Sequence, residues 1–316
     1  MTTTSRRALW EGAAAGYLGG IAWLAQITAF PYFLFPELGA LAHDILTRPR
    51  GTWARAPLLL VITPLLTAAV GTYVARHWAY GPVAVLLIVG IAILVIRALR
   101  SPIAPAISAG LLPLALGEKS WWYPPAILLG TGLLAAIAFA RLRWFSPAPA
   151  PESAANTLDD ILERPPRDWS WVAFYLVFLT VGATVSELLD WHFLLYPPLA
   201  VIGFEMFANT RVCPWANRPL ALPVACASTA AIGLAIVEHF GAGPLAAAGA
   251  TLCGIGVLRL LRLHAPPAVA VGLLPFVIEG PDFRFPIAVA AGTSLLVGTF
   301  LLWRVLSSPA AARRES

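Results

Sequence analysis

Long apolar runs recur along the whole chain and constrain its fold more than any other feature. Leu58 to Val74 and Pro82 to Ile96 are two examples. These runs do not alternate between polar and apolar residues, as half-buried strands would. Lipid admits only helices and closed barrels, because each backbone polar group needs a partner within the protein. The pattern therefore predicts an all-α protein that crosses a membrane several times.

Composition supports this prediction and excludes several classes of protein. Of the 316 residues, 59% are hydrophobic and only 12% are charged, which is far from the composition of a soluble domain. The net charge of +5 comes from arginines between the apolar runs, and we interpret them as topology determinants rather than a nucleic-acid surface. Cys213, Cys226 and Cys253 show no C-x-x-C spacing, so we expect no disulfide framework, metal or other cofactor.

The second strong feature is a duplication at a constant offset in sequence. Trp53-Ala54-x-x-Pro57-Leu58 returns as Trp215-Ala216-x-x-Pro219-Leu220, and Gly110-Leu111-Leu112-Pro113 returns as Gly272-Leu273-Leu274-Pro275. The offset that relates Trp53 to Trp215 holds without a gap as far as Leu134. It predicts two homologous halves.

The duplication and the composition together divide the chain into four parts. We predict a first membrane repeat over 1–144, a cytoplasmic linker over 145–168, a second membrane repeat over 169–306 and a tail over 307–316. The linker is rich in proline, alanine and acidic residues, and we expect one short amphipathic turn in it, near 157–162.

Each half contains four long apolar segments and two short ones. The long segments are 8–30, 56–76, 81–99 and 123–143, then 170–191, 219–238, 243–262 and 285–305; the short ones are 36–47, 102–116, 197–209 and 265–278. A helix needs about 20 apolar residues to cross a bilayer, so the short segments are too short to do so alone. Prolines open them, and proline is tolerated at the first position of a helix but not in its interior. We therefore expect short helices that begin within the membrane.

The arginines indicate how the segments are oriented. If each short segment crosses, the arginine clusters share one side, and the other side holds mainly acids (Glu187, Asp190, Glu238, Glu279 and Asp282). The positive-inside rule then predicts both termini in the cytoplasm of a bacterial inner membrane. Each half becomes an inverted pair of long–short–long units, and the two halves run parallel, as in transporters with nested repeats. If the short segments are re-entrant instead, the arginines divide between both sides.

Three motifs of the second half carry a resemblance to a known family. They are Pro197-Pro198-Leu199-Ala200, Cys213-Pro214-Trp215-Ala216-Asn217 and His264-Ala265-Pro266-Pro267-Ala268. In order and spacing they resemble the motifs of the HPP family of bacterial and plastid membrane proteins. The first half keeps Pro36-x-Leu38-Gly39-Ala40 but has Pro102 where the histidine aligns. The resemblance covers nearly all of the chain outside the linker, as two fused copies, and it implies nitrite transport.

The openings of the short helices are the predicted binding site. Small residues after each proline allow a small ion to approach the N–H groups at the positive end of a helix. The alternative is that small residues only permit close helix packing. The predicted substrate-binding residues are Pro36, Leu38, Gly39, Ala40, Pro105, Ala106, Pro198, Leu199, Ala200, His264, Pro266, Pro267 and Ala268.

Three acidic residues lie within the short segments, where a charge is costly and usually functional. Glu37, Asp44 and Glu205 are candidates for proton transfer or gating. Alternatively, Asp44 and Glu205 pair with nearby arginines as structural locks. Glu37 could also act as a built-in anion that fills the site of the first half.

The sequence contains no nucleophile–base pair and no phosphate-binding loop, so we expect no enzyme. The predicted function is a membrane transporter or channel for a small, nitrite-like anion. The alternatives are a non-transporting scaffold or partner subunit, or a sensor of lipid or ligand. The expected partners are the anion and the lipid bilayer, without nucleic acid, and assembly into a homo-oligomer is left open.

Overall fold

A computed structural model describes residues 3–144 and 169–307. The described residues form twelve α-helices, which confirms the all-α prediction: α1 (Thr3–Thr28), α2 (Glu37–Thr47), α3 (Pro57–His77), α4 (Pro82–Ala98), α5 (Ala106–Leu116), α6 (Tyr123–Trp144), α7 (Val172–Leu189), α8 (Pro197–Ala208), α9 (Ala221–Phe240), α10 (Pro244–Leu260), α11 (Pro267–Leu273) and α12 (Arg284–Leu306). Single 3-10 turns lie at Pro31–Phe33, His192–Leu195 and Leu274–Phe276. The predicted linker with its turn near 157–162, and residues 308–316 of the tail, lie outside the described residues.

Five of these helices are long and apolar enough to cross a membrane. They are α3, α6, α7, α9 and α12, each with 18 residues or more. The helices α4 and α10 are apolar too but have 17 residues each. The chain is therefore a multi-pass membrane protein.

The four short helices form the centre of the bundle. Every residue of α2 from Glu37 to Leu46, and nearly every residue of α5, α8 and α11, is buried. The helix α2 packs on α11, α11 on α8, and α8 on α5. Most of the large exposed apolar side chains lie on the eight longer helices, and the others lie in the connections next to them (Trp78, Trp121, Trp122, Trp169, Leu220 and Phe283). A helix that is apolar on all sides must be enclosed by other helices, and here the longer helices enclose the four short ones.

Each short helix covers only about half of the bundle. The 11 residues of α2 rise about 16 Å at 1.5 Å per residue, against a hydrocarbon core of about 30 Å. Non-helical chain completes the path, as at 101–105, where every residue is buried. Such backbone is tolerated at membrane depth only where protein encloses it.

Side-chain contacts show that these segments lead from one end of the bundle to the other. Tyr32 packs edge-on against Tyr123 at the start of α6, with ring centroids 6.3 Å apart. Arg141, in the last turn of α6, donates to the carbonyl oxygen of Leu46 near the end of α2. The stretch from Tyr32 to Leu46 therefore spans nearly the whole length of α6.

The connections gather at two ends of the bundle. At one end, which we call the arginine end (connections 48–56, 99–105, 209–220 and 261–266), Trp53 Nε1 donates to Pro102 O at 2.9 Å. Arg218 Nη1 there donates to the carbonyl oxygens of Leu261 and Arg262, each at 3.1 Å. At the opposite end, Arg76 Nη1 donates to Lys119 O at 2.6 Å.

Left-handed residues turn the chain back into the bundle at the arginine end. Arg100 and Arg262 follow α4 and α10 with φ of 50° and 49°. The next amides close the turn: Ser101 N donates to Ile96 O at 2.8 Å, and Leu263 N to Leu258 O at 3.0 Å. This is the usual hydrogen-bond pattern of a helix C-terminus, where glycine is the common choice. An arginine in this conformation costs about 1–2 kcal/mol.

Candidate functional site

A cationic cleft opens at the arginine end, where α1, α2 and α10 meet the chain that leads into α11. Its cavity volume is about 200 Å³. The lining residues are Arg7, His43, Ile255, Leu258, Arg259, Arg262, Leu263, His264 and Pro266. Three arginines and two histidines around one small cavity create a positive potential that attracts anions.

One carboxylate, Glu11 of α1, lies beside this cleft. Its side chain is only 4% exposed, whereas those of Arg7 and Arg259 are 58% and 54% exposed. Glu11 Oε1 lies 3.2 Å from Arg7 Nε and 3.7 Å from His43 Nε2. Glu11 Oε2 pairs with Arg259 Nη2. The carboxylate therefore ties α1 to α10 across 248 residues of sequence.

His43 completes this cluster from α2. Its side chain is 8% exposed, and neither ring nitrogen has a hydrogen-bond partner among the described residues. Its only ion-pair contact in the described part of the chain is the 3.7 Å approach to Glu11. His43 therefore belongs to the same cluster as Glu11, Arg7 and Arg259.

Local structure explains why the cations meet here. Arg259 lies in the last turn of α10, where a cation interacts favourably with the negative end of the helix. Arg262 occupies the left-handed position that ends this helix. His264 follows in the non-helical stretch before α11, so one tight reversal brings all three side chains to the same cleft.

A second cleft lies at the other end of α11 and has the opposite character. Its volume is about 230 Å³. The charged and titratable residues among its lining are Asp190, His192, Glu279, Asp282 and Arg284. Three acids against one arginine make this cleft negative, while the first is positive.

Between the two clefts lies the buried centre, with Glu37 at the start of α2. Glu37 is 0% exposed, and neither carboxylate oxygen has a hydrogen-bond partner among the described residues. Ser108 of α5, Tyr123 of α6 and Tyr196 lie near it. Tyr196 Oη shares a hydrogen bond of 2.8 Å with Thr293 Oγ1. The middle of the bundle therefore contains several polar groups.

The structure separates the predicted substrate-binding residues into two groups. His264 and Pro266 line the cationic cleft. The others are enclosed in the bundle: Pro36, Leu38, Gly39, Ala40, Pro105, Ala106, Pro198, Leu199, Ala200, Pro267 and Ala268.

The small residues among them lie at helix contacts. A Cβ added to Gly39 would lie 2.6 Å from Leu273 Cδ1 of α11. The carbonyl oxygen of Ala200 accepts a hydrogen bond of 2.8 Å from Tyr175 of α7. At both positions a neighbouring side chain occupies the space beside the backbone.

The remaining acids have structural surroundings. Asp44 Oδ1 pairs with Arg48 Nη1 at 2.8 Å within α2, which is the pairing that one of the two sequence interpretations expected. Glu205 is buried in α8. Sequence reasoning missed Glu11, although its spacing from Arg7 is the i, i+4 spacing of helical ion pairs.

Comparisons with known proteins add no identification. No family model matches the chain, and no curated protein or solved structure matches it.

Proposed function

We propose that this protein moves a small inorganic anion across the membrane. The observation that carries the proposal is the cationic cleft, where three arginines and two histidines surround a cavity of about 200 Å³. Oriented cations at the mouth of a pathway concentrate anions and raise their rate of binding. The cavity is of a size for a small anion with a few water molecules, since water occupies about 30 Å³ per molecule in the liquid.

The pathway that we propose runs from this cleft along α2 and α11 to the acidic cleft. His43 lines the cleft and Glu37 opens the same helix six residues earlier, a rise of about 9 Å. The first turns of α5 and α8 supply backbone N–H groups at this depth, as broken helices do in transporters. Glu37 occupies the equivalent place on α2, where we assign it a gating or proton-transfer role.

The identity of the anion comes from the resemblance to the HPP family, which favours nitrite. We also propose that the chain is two fused copies in parallel, each an inverted pair of long–short–long units. In support, α4 and α10 begin and end at corresponding positions of the duplication, and α1 packs on α10 while α4 packs on α7. The arginine end would face the cytoplasm of a bacterial inner membrane.

The test is nitrite uptake by liposomes that contain the purified full chain, with protein-free liposomes as the blank. Arg262→Gln removes one cation from the cleft, and we expect it to raise the apparent KM roughly three- to tenfold. Arg143→Gln removes an exposed arginine of α6 that does not line the cleft, and it should leave uptake unchanged. Uptake with and without a pH gradient separates a channel from a proton-coupled carrier.

A non-transporting scaffold is the second candidate, because the first turns of the short helices are enclosed by protein. If these liposomes take up neither nitrite, nitrate, formate nor chloride, the transport proposal fails and the scaffold is favoured.

A further inference from the structure

We infer that the Glu11 carboxylate is a built-in counter-anion of the cationic cleft. The transported anion displaces this carboxylate from Arg259, and a protonated His43 then holds it. The inference rests on the proposed transport function, and it assigns two residues, Glu11 and His43, that control the binding of the anion.

The geometry of the cleft creates a competition for one guanidinium. Arg259 lines the cleft and is half-exposed, so an anion from solution can reach it. The same guanidinium pairs with Glu11, whose side chain is almost fully buried. An anion that binds Arg259 therefore weakens the ion pair between Arg259 and Glu11. The bound anion and the Glu11 carboxylate each lower the affinity of Arg259 for the other.

A displaced carboxylate needs a new partner, because leaving a buried charge unpaired is strongly unfavourable. His43 is positioned for this role. Its Nε2 lies 3.7 Å from Glu11 Oε1, and its ring makes no hydrogen bond within the described residues. Arg7 is exposed to solvent and holds only one of the two oxygens, at 3.2 Å.

Protonation of His43 supplies the charge that this exchange requires. Histidine is the side chain that ordinarily titrates between pH 5 and 8. One proton from solution binds the imidazole for each anion bound, no covalent bond other than the new N–H changes, and the charge of the cleft is conserved. Anion binding therefore takes up a proton, and it tightens as the pH falls.

Several charged or titratable groups surround His43. The charged or titratable groups that face it are Arg7 and Glu11 from α1, Arg259 from α10, Arg262 and His264 from the following chain, Arg141 at the end of α6, and Asp44 with its partner Arg48 on its own helix. The helix α11, which packs on α2, has no titratable residue. Of the two histidines, His43 is the one in contact with Glu11.

The experiment measures the apparent KM for nitrite uptake in liposomes at about pH 6 and about pH 8. We expect the wild-type KM to rise with pH over this range. Glu11→Gln removes the competitor, so its KM should fall roughly three- to fivefold, the range given by half-exposed ion pairs, and depend less on pH.

His43→Gln tests the second half of the inference. It should give the high, pH 8 value of KM at both pH values, because no proton can be taken up beside Glu11. Glu238→Gln, at an exposed position in the last turn of α9, removes a carboxylate elsewhere and should match the wild type. If Glu11→Gln does not fold, His43→Gln alone tests the inference: a KM that no longer depends on pH supports it, and an unchanged pH dependence refutes it.

The outcomes distinguish this inference from the transport proposal. Absence of uptake by the wild type refutes transport. Wild-type uptake with an unchanged KM and pH profile in both Glu11→Gln and His43→Gln refutes the counter-anion and leaves transport standing.

Discussion

Replacing Gly71 by alanine is expected to destabilise the protein severely, because two helix backbones touch there. An ideal Cβ on Gly71 of α3 would lie 1.9 Å from the carbonyl oxygen of Gly110 in α5. The same contact recurs in the second half, where a Cβ on Gly233 would lie 2.0 Å from the carbonyl oxygen of Gly272. Ordinary contacts begin at 3.4 Å, so α3 and α5 would have to move apart to admit the methyl group.

The cost of this separation follows from close packing. Adding a methyl group to a filled core costs about 1–3 kcal/mol where side chains can adjust. Here the atom in the way belongs to backbone, which cannot rotate aside. Alanine is favoured over glycine in a helix by about 1 kcal/mol, and this offsets only part of the loss. We expect a net destabilisation of about 2 kcal/mol or more, or no folded protein.

The assay is thermal unfolding of the purified protein in detergent, followed by the loss of the monodisperse peak on size exclusion. Gly71→Ala and Gly233→Ala should each lower Tm by at least about 5 °C. Gly90→Ala on α4 is the matched control, because no atom lies within 4 Å of its ideal Cβ, and its Tm should stay equal or rise. A Gly71→Ala protein as stable as the Gly90→Ala protein would refute the close crossing of α3 and α5.

Two further substitutions test buried charges by the same assay. Arg141→Gln should lose about 1–3 kcal/mol, because the charged guanidinium caps the carbonyl oxygen of Leu46 at the end of α2, whereas Arg143→Gln at an exposed position should be neutral. Glu37→Gln should raise the stability by about 1–3 kcal/mol, because it removes the charge of a fully buried carboxylate; a lower Tm than that of the exposed-site variant Glu238→Gln would show that the charge of Glu37 has a stabilising partner.

The positions of the helices could be predicted from sequence, because apolar length and proline act locally. The segment predicted over 123–143 is α6 at Tyr123–Trp144, and the short segment predicted over 197–209 is α8 at Pro197–Ala208. A proline at the first position fixes where a helix begins. Lipid then requires the apolar chain that follows it to pair its own backbone groups.

The cationic cleft could not be predicted in the same way, because its parts come from distant places. Glu11 and Arg259 are separated by 248 residues, and nothing local to either one indicates the other. In the sequence, Arg259 and Arg262 are indistinguishable from the arginines that set topology at the ends of membrane helices. The role that we propose for them depends on the packing of α1 along α10, which brings the buried Glu11 carboxylate to Arg259.

The duplication of the sequence does not duplicate the charges of this cleft. At the offset of the duplication, Arg259 corresponds to Arg97 of α4, which packs on α7 as α10 packs on α1. Arg97 stacks on Trp169 there, with its Cζ 4.4 Å from the ring centroid. The residues at the places of Arg7, Glu11, His43 and His264 are Trp169, Ala173, Glu205 and Pro102. Arg97 and Arg100 keep the places of Arg259 and Arg262, but a tryptophan in place of Arg7 and an acid in place of His43 lower the positive charge that attracts an anion. Two nearly equivalent interfaces therefore differ in charge, and this difference is the reason that the proposed anion site lies between α1 and α10 rather than between α4 and α7.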